Sequence, residues 1–171
     1  EKRIPLNKTT LSDWGKEAPL HTGTETIFSR LKKTAEETNP TVTVEFYVIS
    51  SGIGDVLRNT SIAKEFKDIW ASEFHYDDVG NAEFPKRIIS FTDKTRYLFH
   101  IQKGLIGKPS RGKPLEVNKK FEKDRIRIPF SNMIFVGDGL TDVPCFSLLT
   151  KEKGMAIAVY DKNHVKKWAN A

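Results

Sequence analysis

Apolar residues recur along this chain with two different periods, and the two periods alternate. Ile27, Leu31 and Ala35 follow one another at spacings of four, with Phe28 beside them, which predicts a helix with one apolar stripe. Thr22 and Glu25 stand ahead of it as a capping box, and Asn39-Pro40 closes it. Val42, Val44, Phe46 and Val48 then alternate, while Tyr47 and Ile49 fill the other face. Such a strand is apolar on both faces and belongs in a helix-covered, parallel sheet. It runs into Ser50-Ser51-Gly52, followed by a short helical pattern through Val56, Leu57, Ile62 and Phe66. Ile69 to Tyr76 reads as a second strand, Asp77 to Asn81 as a turn and Phe84 to Phe91 as the returning arm of a hairpin.

The second half repeats the alternation. Thr92 caps a helix that runs to Lys103, with Tyr97, Leu98 and Ile101 inward and Gly104 at its end. A stretch broken by Gly107, Pro109, Gly112 and Pro114 leads to Met133-Ile134-Phe135-Val136, a short buried strand that opens onto Gly137-Asp138-Gly139. Phe146, Leu148 and Leu149 predict a helix, Ala156 to Tyr160 a further buried strand and His164 to Ala169 a last helix. This order predicts an α/β fold, its helices layered on a mainly parallel sheet. Residues 1–21 are polar and mixed, with Trp14 and Leu20 as candidate anchors, and read as a linker or the tail of another domain.

Composition narrows the class. With 171 residues, 38% of them hydrophobic, the chain has the length of one ordinary globular domain. Its longest hydrophobic run, Met155 to Tyr160, is far short of the ~20 residues that a membrane-spanning helix needs. Cys145 is the single cysteine, so no internal disulfide forms and a reducing, cytoplasmic setting is expected. The formal charge is +6 and is uneven. Lys108, Arg111, Lys113, Lys119, Lys120, Lys123, Arg125 and Arg127 stand against Glu116, Glu122 and Asp124, which leaves +5 between Leu105 and Phe130. A basic run of this kind is most often a solvated loop. Phe121 is its one aromatic, so it offers no series of stacking surfaces and nucleic acid is not the expected partner.

Ligands of parallel sheets bind at the carboxyl ends of the strands, and two of these ends carry unusual chemistry. Phe135-Val136-Gly137-Asp138-Gly139-Leu140-Thr141-Asp142 delivers Asp138 to the sheet's edge, with Asp142 four residues on. Two carboxylates so close repel unless a cation or a lysine lies between them. Mg²⁺ is held by one or two carboxylates with water and phosphate oxygens. At the other strand end, the hydroxyl and backbone N–H groups of Ser50, Ser51 and Gly52 suit a phosphate oxygen. Lys94 lies in the first turn of its predicted helix, where the helix dipole disfavours a cation, which hints at an anionic partner.

Taken in order, an apolar strand ending in Ser50, a helical Lys94, and an apolar strand ending in Gly137-Asp138-Gly139-x-Thr141-Asp142 resemble the haloacid-dehalogenase-like hydrolase superfamily, above all its phosphoserine-phosphatase-like branch. The resemblance covers about Thr22 to Asp161, with Lys86 and Lys103 as competing positions for the lysine. It implies a three-layer sandwich around a Rossmann-like sheet. It implies Mg²⁺-dependent hydrolysis of a small phosphomonoester through an aspartyl-phosphate. Ser50 would hydrogen-bond the phosphoryl group, with Ser51 and Gly52 beside it, and Lys94 would neutralise charge. Asp138 would ligate Mg²⁺, and Asp142 would support the metal or hold the lysine. Ser50 is then expected across the sheet's rim from the two carboxylates.

The family's early strand ending in Asp-x-Asp, which supplies the nucleophile, is not found in these 171 residues. Asp13 has no apolar strand before it, and Asp77-Asp78 lacks the spacing. His21, His75, His100 and His164 form no metal-binding spacing, and Cys145 and the serines form no nucleophile elbow. The resemblance therefore implies an incomplete hydrolase core at residues 22–171, with the nucleophile strand upstream and residues 1–21 as the remnant of a cap. This chain by itself is expected to be inactive. The competing reading is a non-catalytic phosphate- or partner-binding module with the same fold.

Overall fold

A computed structural model describes residues 5–111, 113 and 115–160. The chain divides into two compact units, residues 1–89 and 90–171.

The first unit opens with α1 (Lys8–Lys16), started by the Asn7 side chain, which accepts a hydrogen bond from Thr10 N at 2.8 Å. Its anchor is Leu11, which is fully buried, while Trp14 is exposed. The stretch read as polar linker thus contributes a helix, because one leucine in the right register suffices to dock it. Next comes α2 (Thr24–Thr38). Its N-cap is Gly23 with no side-chain cap, so the Thr22 capping box does not form, and Asn39 ends it as expected. Its inward residue is Phe28, whose ring meets Phe46 and Phe66 edge-on at 5.0 and 5.2 Å. Ile27 and Leu31, expected inward, are exposed. One phenyl ring wedged between two others turns the helix away from its aliphatic stripe.

The sheet of this unit has the order β1-β2-β3, with β1 (Phe46–Ile53) parallel to β2 (Phe66–Tyr76), and β2 antiparallel to β3 (Ala82–Arg87). The middle strand carries the core, with Ile69, Trp70 and Ala71 buried and Tyr47 stacked on Trp70 at 5.8 Å. The expected helix through Phe66 shrinks to α3 (Gly54–Leu57) and one 3-10 turn, Ala63–Glu65, after which Phe66 already starts β2. The Asp77–Asn81 turn forms as read: Asp77 Oδ1 accepts from Val79 N and Asn81 N. These bonds, with the Asn81 side chain, hold the Asp77 carboxyl below its ordinary range.

In the second unit, α4 (Lys94–Lys103) buries Tyr97, Leu98 and Ile101, and Gly104 closes it at φ 71°, a conformation that favours glycine. Then come α5 (Lys108–Arg111), three 3-10 turns, β4 (Ile134–Gly137), a 3-10 turn at Leu140–Asp142, α6 (Val143–Lys151) and β5 (Met155–Ala158). β4 and β5 pair in parallel with Ile134 beside Met155 and Val136 beside Ile157. Phe135 meets Phe146 of α6 edge-on at 5.7 Å, so one face of the pair is covered. Side chains alternate along a strand, and the other face, with Ile134 at 63% and Val136 at 56% exposure, is open. Both strands were expected to be buried. Apolar pattern gives a strand the capacity for burial, but neighbours supply it. Among the described residues β4 pairs with β5 alone. The mixed α/β architecture stands; among the described residues the sheets are a mixed three-stranded one and a parallel pair. The helix expected at His164–Ala169 lies outside the described residues.

Candidate functional site

The chemistry of the second unit gathers where β4 ends. Backbone turns at Gly137-Asp138-Gly139 and enters the 3-10 turn that leads to α6. Asp142 folds back over this turn: its Oδ2 accepts from Asp138 N at 3.2 Å and from Gly139 N at 3.3 Å. A Cβ on Gly137 would lie 2.6 Å from the Asp142 carboxyl, so only glycine leaves room for this cap.

The other oxygen of Asp142 receives Lys94. The Lys94 Nζ donates to Asp142 Oδ1 at 2.6 Å and to Thr141 Oγ1 at 3.2 Å. Both residues are buried, Lys94 at 7% and Asp142 at 3% exposure. Taking such charges out of water costs several kcal/mol each, about balanced when the pair is close and its remaining valences are filled. Asp142 meets that condition with three donors. An ammonium has three hydrogens, and two of those on Lys94 have partners here. Lys103, a competing lysine, instead donates to Val117 O and Lys119 O, both at 2.6 Å, and pins the basic segment. Lys86, the other, is exposed on β3.

Asp138 itself is exposed, and its carboxylate has no hydrogen-bond partner among the described residues. Of the two acids, Asp138 is thus free to hold a cation, while Asp142 is fully committed. No group of three or more His, Cys, Asp or Glu residues gathers among the described residues. Next to this cluster, burial, and then the charge of Asp142, push the Cys145 thiol up to about 12. It stays protonated at neutral pH and is no nucleophile.

Ser50 belongs to the first unit, where it is half-buried near the end of β1. Its Oγ accepts from Gly52 N at 3.0 Å, so the Gly52 N–H is turned inward onto the serine. The hydroxyl proton of Ser50 has no acceptor among the described residues. Ser51 is exposed, and its carbonyl accepts from Ser72 Oγ at 3.0 Å. Lys94, Asp138 and Asp142 belong to the second unit.

Sequence reasoning missed a polar cluster in the first unit. Tyr76 Oη donates to Asp55 Oδ2 at 2.6 Å, and burial, together with that hydrogen bond, pushes the phenol well above its ordinary value. Glu73 takes Arg58 at 2.6 Å and Arg87 at 3.3 Å. The spacing of Asp55 from Tyr76 carries no local signal; strand pairing creates the contact. In the basic segment, Phe121 has Arg125 at 4.9 Å and Lys103 at 5.3 Å from its ring centre. Its ring is therefore already engaged by the chain's own cations.

No helix among the described residues is long and apolar enough to cross a membrane. No family model matches the chain. It is similar to an uncharacterized protein of Borreliella burgdorferi, 29% identical over 143 residues, an alignment that covers 72% of this chain. The match takes in 47% of that relative, so the chain spans about half the length of the curated protein it resembles.

Proposed function

We propose that this chain is part of a Mg²⁺-dependent phosphomonoester hydrolase of the haloacid-dehalogenase-like type, with the attacking aspartate supplied by polypeptide outside these 171 residues. The observation that carries the reading is the buried Lys94–Asp142 pair capping the turn that presents Asp138 at the carboxyl end of a parallel strand. In this reading a further strand joins the open edge of β4, and the sheet becomes the middle of a three-layer, Rossmann-like sandwich. Among the described residues β4 has a free edge that could take such a strand, and the open apolar face of β4 and β5 suits the covering layer of helices that this reading requires.

Each residue then has a task. Lys94, held by Asp142 and Thr141, directs its remaining N–H and its charge at the phosphoryl oxygens. Ser50, in the first unit, keeps a hydroxyl proton with no acceptor among the described residues, which supports a phosphate contact of its own there. Asp138 would hold Mg²⁺, which supplies further neutralisation of phosphoryl charge; Asp142, being spent on Lys94 and the backbone, would not ligate it. The first aspartate of the Asp-x-Asp segment forms a bond to phosphorus as the phosphorus–oxygen bond to the alcohol breaks, the second aspartate gives the departing oxygen its proton, and water, deprotonated by that same residue, then cleaves the acyl phosphate. The substrate is a small phosphorylated molecule and the setting cytoplasmic.

The test joins this chain to the polypeptide that precedes it and measures Mg²⁺-dependent phosphate release from a phosphomonoester. Turnover is expected in the joined protein, is lost on Asp138→Asn, and is absent from the 171-residue chain. A Mg²⁺-dependent rate from this chain alone contradicts the external nucleophile.

The absence of Asp-x-Asp from the sequence favours a second reading, a non-catalytic module that binds phosphate or a partner with the same fold. Phosphate binding without turnover, even in the joined protein, would select it.

A further inference from the structure

The segment Ser50–Gly52 does not simply leave the sheet. Ile49 pairs with Trp70 and Ile53 with Ser72. Three residues of β1 therefore stand opposite one residue of β2, Ala71, and the chain rejoins the ladder afterwards. This is an enlarged bulge, a device that re-aims side chains at strand ends. A bulge with two surplus residues leaves backbone groups unpaired, so something must fix its shape. Ser72 does so. Its hydroxyl donates to Ser51 O at 3.0 Å and accepts from Ile89 N at 3.1 Å, so the proton's direction is set by the backbone that follows β3. Within the bulge, Ser50 Oγ accepts from Gly52 N. The chain of bonds runs from Ile89 through Ser72 to Ser51, and fixes the residue beside the serine that donates to phosphate.

We propose that Ser72 is a positioning residue that clamps the Ser50–Gly52 bulge in its phosphate-accepting shape; this rests on the phosphate role of Ser50. Tyr76, bonded to Asp55 beyond the bulge, fixes the start of α3 instead and serves as the comparison.

The 171-residue chain is titrated with inorganic phosphate while the amide resonances of Ser51, Gly52 and Ile53 are followed. Wild type, Ser72→Ala, Ser72→Thr and Tyr76→Phe are compared, with thermal melts and amide exchange alongside. Phosphate is expected to move the Ser51 and Gly52 amides of wild type. Ser72→Ala weakens that binding about threefold to tenfold, the equivalent of one hydrogen bond, and speeds exchange at Ile53. Ser72→Thr, which keeps the hydroxyl, restores both. Tyr76→Phe lowers the melting temperature and leaves phosphate affinity unchanged. Equal affinity in wild type and Ser72→Ala overturns the clamp and leaves the phosphate reading standing. Equal weakening by Tyr76→Phe and Ser72→Ala reduces the effect to general loosening and also overturns it. No response of wild-type Ser51 and Gly52 to phosphate overturns the phosphate role of Ser50 and the positioning role with it.

Discussion

The middle strand of the first unit, β2, buries Asp68 to Ala71 in unbroken succession, whereas β4 of the second unit leaves Ile134 and Val136 exposed. β2 carries Lys67, Asp68, Ser72, Glu73 and His75, while β4 has no polar side chain, so composition alone would bury β4 the more deeply. Position decides instead: among the described residues β2 has a neighbour on each side, while β4 has β5 alone. An isolated two-stranded sheet is marginal in water. The second unit therefore draws its cohesion from α4 and α6, from Tyr97, Leu98, Ile101 and Leu149, and from the buried Lys94–Asp142 pair. One unit is held by a three-stranded sheet, the other by helices and an ion pair at the end of a two-stranded one.

These two kinds of cohesion respond differently to substitution. The largest effect is expected from Lys94→Met, which leaves Asp142 buried and uncompensated, at about 3–5 kcal/mol. Urea unfolding followed by amide exchange should show the loss in the second unit. Lys94→Met combined with Asp142→Leu should cost less than the single change, because no lone charge is left. Leu11→Ala comes next: it empties a fully buried site in the first unit and should cost about 3 kcal/mol there, read by the same exchange measurement. Gly137→Ala forces a methyl against the Asp142 carboxyl and should cost about 1–3 kcal/mol in the second unit, seen as a lower urea midpoint. Val136→Thr is expected to be nearly silent in this chain, within about 0.5 kcal/mol, as befits an exposed position. In a protein that covers the β4 face, the same change should become costly.

Much of this was legible from periodicity. The inward face of α4, the hairpin of β2 and β3, and the Asp77 turn all follow from local pattern and turn chemistry. The misreadings share a physical origin. Phe28 displaces Ile27 and Leu31 because distant rings, Phe46 and Phe66, meet it. Helix α1 is hidden in polar sequence because a single residue, Leu11, docks it. The exposure of Ile134 and Val136 depends on what packs over that face of the sheet, which no pattern within β4 records. At the site, Asp138, Asp142 and Lys94 stand out by residue type and strand context. The division of labour between the acids does not, since it is set by where the Asp142 carboxyl folds back onto Gly137–Gly139. The bonds of Ser72 to Ser51 and Ile89 are invisible for the same reason: they arise across a register shift between β1 and β2.

The most direct measurement titrates this chain with Mg²⁺ and inorganic phosphate together, following the amides of Asp138 and Gly139 in wild type and in Asp138→Asn. Saturable shifts in wild type that need both ions, and that vanish in Asp138→Asn, are the predicted result. Shifts that persist unchanged in Asp138→Asn, or no response in wild type, would contradict the account.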